Sequence, residues 1–188
     1  MYLPEYGLPQ RLNLRVRYSK ERIAAEVSRL AAEISAAYSG KELLVVVVLK
    51  GALFFAADLL RALRIPVKMD FLSLSSYDGT SSTGNVTVKQ DLSTDVAGRH
   101  VLVVEDIIDT GLTLSFLLDL LQQRGAKSLG VCTLIEKNQR RQVDITPDYI
   151  GISCADGFLV GYGLDLDERM RELSAIYEIV ENPLGGVE

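Results

Sequence analysis

Apolar residues follow two rhythms along this chain. Ile23, Val27, Leu30 and Ile34 recur at helical spacing, which predicts a helix from a Ser19 N-cap up to Tyr38, stopped by Gly40. Leu43–Leu49, LLVVVVL, shows no polar alternation and predicts a central parallel strand covered on both faces. Lys50-Gly51-Ala52 makes a turn, and residues 52–63 read as a helix that ends before Pro66. Val67, Met69 and Phe71 alternate with Lys68 and Asp70 as a strand. Leu72-Ser73-Leu74 then shifts the apolar phase by one residue, through a bulge or through burial on both faces. Residues 75–84, SSYDGTSSTG, interrupt the pattern before Val86 and Val88 carry the chain back.

The second half repeats the strand–helix rhythm. Residues 95–98 turn into VLVVEDIIDTGLTL at 101–114, where a run of β-formers breaks at Glu105-Asp106 and becomes helix-compatible after Asp109-Thr110-Gly111. A helix follows over 113–124 with Gly125 as its C′ stop, then a buried strand over 129–135 closed by Glu136-Lys137. Arg140 and Arg141 sit in the next polar loop and read as surface charge or subunit-interface residues. After Pro147 come a strand over 149–153 and a short apolar run, Phe158–Val160. Gly161-Tyr162-Gly163 then leads to a charged cluster of Asp165, Asp167, Glu168, Arg169 and Arg171, and Ile176–Val180 is expected as a last edge strand. Residues 3–17 read as an irregular flap over the core. The expected class is α/β: a mainly parallel central sheet flanked by helices, in one domain over residues 1–188.

Composition narrows the function classes. At 188 residues and 48% hydrophobic content the chain suffices for one covered core. A formal charge of −5 argues against a nucleic-acid surface, which needs clustered Lys and Arg. Residues 1–10 lack a basic-plus-apolar leader, and Leu43–Leu49 is far too short to span a bilayer, so the expectation is a cytoplasmic protein with no membrane partner. Cys132 and Cys154 lack ligand-type spacing and read as reduced core residues. His100, the only histidine, begins a strand and has no evident catalytic task.

In open α/β sheets ligands bind outside the carboxyl ends of the strands. That rule gathers Lys50-Gly51, the 105–113 stretch, Glu136-Lys137 and residues 156–165 onto one rim. Thr110, Gly111 and Thr113 stand where a loop becomes a helix, so free N–H groups, hydroxyls and the helix dipole favour a phosphate. Taken alone, Thr-Gly-x-Thr is also an ordinary capped helix. No Gly-Lys-Ser/Thr follows, which disfavours a nucleoside triphosphate. Upstream, the adjacent carboxylates of Glu105 and Asp106 repel one another unless they bind something, and ribose hydroxyls, directly or through Mg²⁺, would serve. Residues 75–84 are read either as an exposed hairpin loop or as a mobile lid.

VVEDIIDTG resembles the phosphoribosyl-pyrophosphate signature of the type I phosphoribosyltransferases. With LKG at 49–51, SSYDGTSSTG, Lys137 and FLVGYGLD at 158–165, the chain is similar more narrowly to the hypoxanthine (guanine) phosphoribosyltransferases, from residue 43 to about residue 173. The resemblance implies that fold, with a small hood from the terminal segments. It also implies a Mg²⁺-dependent purine-salvage reaction in which a 6-oxopurine displaces pyrophosphate from phosphoribosyl pyrophosphate. It further implies a homodimer or homotetramer with Lys50 near the interface.

Carried over residue by residue, Asp109 is the acid/base group near N7 of the purine. Glu105 and Asp106 hold the ribose hydroxyls and the metal environment. Ile107, Ile108, Asp109, Thr110, Gly111, Leu112 and Thr113 form the nucleotide-binding loop, whose portion from Asp109 onward clasps the 5′-phosphate. Lys50 and Gly51 bind pyrophosphate through main-chain donors, and Arg171 neutralises it. Asp165, at the base site, also ligates Mg²⁺. Lys137 donates to O6 of the base, Phe158 stacks on it and Leu159 meets its edge through the backbone. Ser76 and Tyr77 close over the reaction.

Three departures from the family pattern bear on the choice of base: Asn138 after the lysine, Leu159 after the aromatic, and Cys154-Ala155-Asp156-Gly157 before it. Two rivals differ in class or substrate. A phosphoribosyl-pyrophosphate sensor could lack Asp109, Tyr77 or Asp165 and would often carry a basic patch. A transferase for adenine or a pyrimidine is opposed by Lys137 and Phe158.

Overall fold

A computed structural model describes residues 13–76 and 86–180. The principal sheet has six strands in the order β4-β3-β2-β5-β6-β7, formed by Val86–Gln90, Val67–Ser76, Leu43–Leu49, His100–Ile108, Ser128–Lys137 and Tyr149–Cys154. All neighbouring pairs are parallel except β3 with β4, so a hairpin edge closes an otherwise parallel sheet. The helices α1 (Lys20–Ala37), α2 (Leu53–Ala62) and α3 (Leu112–Gln123) cover it.

Strand β2 shows why an unbroken apolar run is needed at the centre. Leu43, Val45 and Val47 pack with Ile23, Leu30 and Ile34 of α1 and Phe55 and Leu59 of α2. Leu44, Val46 and Val48 face the other way, toward Leu114, Leu117 and Leu121 of α3. Both faces of the strand are therefore core, as expected for a parallel strand between helices. Helix α1 starts where Ser19 accepts the Arg22 N–H, and α3 ends with Gly125 at φ +80 and the Ala126 N–H returning to the Leu121 carbonyl.

Strand β3 alternates as expected and is covered on both sides: Val67 and Phe71 pack against the α1/α2 core, Met69 is 55% exposed, and the opposite face buries Asp70 and Leu72. The register between β3 and β4 slips between Ser73 and Leu74, one of the two outcomes that the phase shift allowed. Two other elements depart from the sequence reading. Residues 13–17, expected to be irregular, form most of strand β1 (Asn13–Tyr18). This strand pairs antiparallel with β9 (Ile176–Val180), and β9 pairs antiparallel with β8 (Phe158–Val160). The last strand is thus the middle of a separate three-stranded sheet rather than an edge of the main one. Leu14, Val160 and Met170 fill its small core. This is the hood, built from segments near both ends of the chain.

Candidate active site

The centre of the rim is the junction of β5 and α3. Gly111 caps α3 at φ +83 and supplies no side-chain hydrogen bond, and no acid lies in the first helical turn. A glycine is required there: a Cβ would meet Val143 and crowd Arg141. The positive helix end is therefore left to an outside anion. A cavity of about 140 Å³ opens over it, lined by Glu105 and residues 107–111, 113 and 114.

Carboxylates around this cavity are short of partners. Glu105 Oε2 and Asp109 Oδ1 are buried with no hydrogen-bond partner. Burial pushes the Glu105 carboxyl well above the usual carboxylate range, and the adjacent Asp106 pushes it further. Asp106 is raised to about 6, chiefly by burial and also by Asp165, against the N–H donated by Ile107 and the charge of Arg171. A buried carboxylate without donors is costly until a cation or a hydroxyl reaches it. Among the described residues, however, no three His, Cys, Asp or Glu side chains form a metal cage. Glu105, Asp106 and Asp165 thus do not close around an ion by themselves. Their hard oxygens would suit a hydrated Mg²⁺.

The turn after β2 and the hood segment converge on Asp106. The Leu49–Lys50 peptide is cis. A Cβ on Gly51 would collide with the Asp106 carboxylate, and one on Gly163 would collide with the Gly51 carbonyl. Two glycines thus let three segments touch. Arg171 is anchored there: its Nη1 donates to the Gly163 carbonyl at 2.7 Å, and its Nη2 lies 2.9 Å from Asp165. Its Nε is buried without a partner.

The far end of the rim holds an exposed aromatic beside a buried cation. Lys137, 9% exposed at the end of β6, donates to the Gly157 carbonyl at 2.6 Å. The next residue, Phe158, is 53% exposed, whereas the Leu159 side chain is buried in the core. Only the backbone of Leu159 is therefore placed to meet a ligand. Ser76 ends β3 at the hairpin edge, and Tyr77 lies outside the described residues.

The model for the phosphoribosyl transferase domain matches residues 18–167. The chain belongs to the phosphoribosyltransferase family. It is 45% identical over 163 residues to the hypoxanthine-guanine-xanthine phosphoribosyltransferase of Tritrichomonas foetus, covering 86% of this chain and 89% of that protein. It is also 45% identical to the hypoxanthine-guanine phosphoribosyltransferase of Bacillus subtilis, across 86% and 91% of the two chains. Among solved structures, a hypoxanthine-guanine phosphoribosyltransferase from Bacillus anthracis superposes with a TM-score of 0.86 at 42% identity, covering 89% of this chain and all of the other.

Within this phosphoribosyltransferase the geometry adds residues that charge patterning alone misjudged. Arg140 is surface charge, 68% exposed, that also reaches a rim carboxylate, while Arg141 is not surface charge. Arg140 Nη1 lies 3.2 Å from Asp109 Oδ2, and Arg141, whose side chain is 16% exposed, pairs with Glu136 at 3.2 Å. The Gln142 N–H donates to the Thr110 carbonyl, so this loop straps the loop that opens α3 from outside. The one available signal was position: two arginines three and four residues after a buried strand end. His100 bonds Ser128 Oγ at 2.7 Å where β5 and β6 begin, a structural pairing far from the rim. Cys132 and Cys154 are free and buried.

Proposed function

We propose that this phosphoribosyltransferase joins a 6-oxopurine, hypoxanthine and/or guanine, to phosphoribosyl pyrophosphate, releasing IMP or GMP and pyrophosphate in purine salvage. The observation that carries the reading is the pairing of the phosphate loop and its partner-poor carboxylates with Lys137 and the exposed Phe158 on one rim. The names of the relatives agree with it.

Asp109 to Thr113, through N–H groups and the Thr110 and Thr113 hydroxyls, hold the 5′-phosphate, with Ile107, Ile108 and Leu112 shaping the loop. Glu105 and Asp106 hold the ribose hydroxyls. Mg²⁺, when bound by Asp165 with Glu105 and Asp106 nearby, supplies charge neutralisation for the departing pyrophosphate. Gly51 and the Lys50 main chain face that leaving group, and Arg171 balances its charge.

Asp109, with one oxygen unpartnered and the other at Arg140, moves a proton at N7 as the base attacks C1. Lys137 donates to O6, a contact adenine cannot accept because its 6-amino group would leave the cation unpaired. Phe158 stacks on the purine, worth on the order of 1–3 kcal/mol, and Leu159 meets the base edge through its backbone. Ser76 and Tyr77 close over the reaction and keep water from the cationic transition state.

Assembly as a homodimer or homotetramer is supported by the exposed Leu53 and Phe54, directly after the Lys50 turn. Among the described residues no helix is long and apolar enough to cross a membrane. The two free thiols suit a reducing cytoplasm.

The test is a transfer assay with purified protein, Mg²⁺ and phosphoribosyl pyrophosphate, comparing hypoxanthine, guanine, xanthine and adenine. Nucleotide formation from a 6-oxopurine and none from adenine is expected. Turnover of adenine alone would overturn the assignment of the base.

A further inference from the structure

Glu168 faces the leaving-group end of the rim, and no role falls to it in the reaction above. Its Oε2 lies 2.8 Å from Lys50 Nζ and 3.3 Å from Arg171 Nη2. Its backbone N–H donates to Asp165 Oδ2 at 2.9 Å. One residue therefore engages both side-chain cations at this end and the carboxylate assigned to Mg²⁺.

The backbone that presents Glu168 is unusual. Leu166 and Arg169 exchange N–H to carbonyl bonds at 3.2 and 3.1 Å across a two-residue turn. The two central residues, Asp167 at φ 52 and Glu168 at φ 62, both adopt the left-handed conformation. Turns of this kind favour Asn and Gly, because a Cβ is disfavoured there. A glutamate held at such a position points to a task for its side chain.

A carboxylate between an ammonium and a guanidinium makes the contacts that a phosphate oxygen would make. We propose that Glu168 is a built-in competitor for pyrophosphate. It occupies Lys50 and Arg171 while the leaving-group end is empty, yields them when the pyrophosphate of the substrate docks, and reclaims them as product departs. This inference rests on the function proposed above. The side chains of Lys50 and Glu168 are 65% and 62% exposed, so the pair is weak and screened by salt. Arg171, 20% exposed, strengthens the second contact. Together they set an expected effect of roughly 2- to 10-fold on affinity.

The experiment is calorimetric titration of the full chain with pyrophosphate in the presence of Mg²⁺, for wild type, Glu168→Gln and Glu168→Asp, at low and high salt. Steady-state KM values for phosphoribosyl pyrophosphate and hypoxanthine accompany it. Glu168→Gln is expected to bind pyrophosphate about 2- to 10-fold more tightly and to lower the KM for phosphoribosyl pyrophosphate by a similar factor. The hypoxanthine KM should stay unchanged, the gap should narrow at high salt, and Glu168→Asp should restore part of the wild-type weakness. Equal binding by wild type and Glu168→Gln overturns the proposal, and so does weaker binding by the variant, which would make Glu168 a ligand of the incoming metal complex. A wild type that binds pyrophosphate but uses no 6-oxopurine refutes the proposed function while the Glu168 comparison still stands. An active wild type with no difference in the variant refutes Glu168 alone, and pyrophosphate binding by neither protein counts against both.

Discussion

Two acidic sites flank the same central strand, and they are built in opposite ways. Asp70, on β3, is buried, and every contact it makes is a donor aimed at a carboxylate. Its Oδ1 accepts the Phe71 N–H at 2.8 Å, and its Oδ2 accepts from the Ser93 N–H, the Ser93 hydroxyl and the Thr94 N–H at 2.7–3.0 Å. Burial raises its pKa, but these donors outweigh burial and hold it below its ordinary value. On β5, Glu105 Oε2 has no hydrogen-bond partner and Asp106 accepts the Ile107 N–H, too little to offset burial, so both carboxyls are pushed up instead. Asp70 is finished by the fold, tying the segment before β5 to β3. The β5 pair, with Asp109, waits for something the fold does not supply. A buried carboxylate is thus a candidate for function when its partners are missing, not merely when it is buried.

Substitutions can break that contrast. The largest effect is expected at Asp109. Asp109→Asn should lower kcat by about 10²–10⁴-fold while phosphoribosyl pyrophosphate binds nearly as before; single-turnover kinetics beside a binding titration separates the two, and equal losses in both would remove its acid/base role. Asp106→Asn should lower kcat/KM by roughly 10–150-fold, the worth of a charged hydrogen bond, with no loss of thermal stability in the ligand-free protein. Asp70→Asn should do the reverse. It is expected to cost about 2–3 kcal/mol of stability, or roughly 4–12 °C in Tm, while activity per folded molecule is unchanged. A catalytic defect in folded Asp70→Asn would erase the distinction.

The smallest effect is in pH dependence, where the signs are opposite. Asp70 titrates lower in the folded protein than its ordinary value of 3.8, so its contribution is present above that value and lost as pH falls through the folded one. Asp106 titrates higher when folded, at about 6, so the native state holds its proton more tightly. Its contribution is fully present below about 4 and disappears as pH rises through about 6. Denaturant melts of wild type minus each Asn variant should therefore slope in opposite directions. Parallel slopes would contradict the assignment.

The sequence made the parallel sheet and the loop that opens α3 legible for a physical reason. LLVVVVL and VLVV must be continuous to be buried on two faces, and DTG must bring a loop to a helix start. Local pattern and global fold say the same thing there. It failed at residues 13–17, because Asn13–Tyr18 is short, mostly exposed and made a strand only by distant β9. It also failed at Arg140, Arg141 and Glu168, since a charged residue in a polar loop looks alike whether it meets water or a rim carboxylate. Those partners, Asp109, Glu136, Lys50 and Arg171, come from other segments of the chain. The Asp70 network was hidden for the same reason, its Ser93 and Thr94 donors lying more than twenty residues away.

The most direct test is thermal unfolding of wild type and Asp106→Asn near neutral pH, each with and without phosphoribosyl pyrophosphate plus Mg²⁺. Without ligand, the variant should melt at or above the wild type, because it removes a buried, partner-poor charge. With ligand, the order should reverse, since only the wild type gains the charge-completed contacts. A wild type more stable than the variant by the same margin in both conditions would contradict the claim that this carboxylate is completed by substrate.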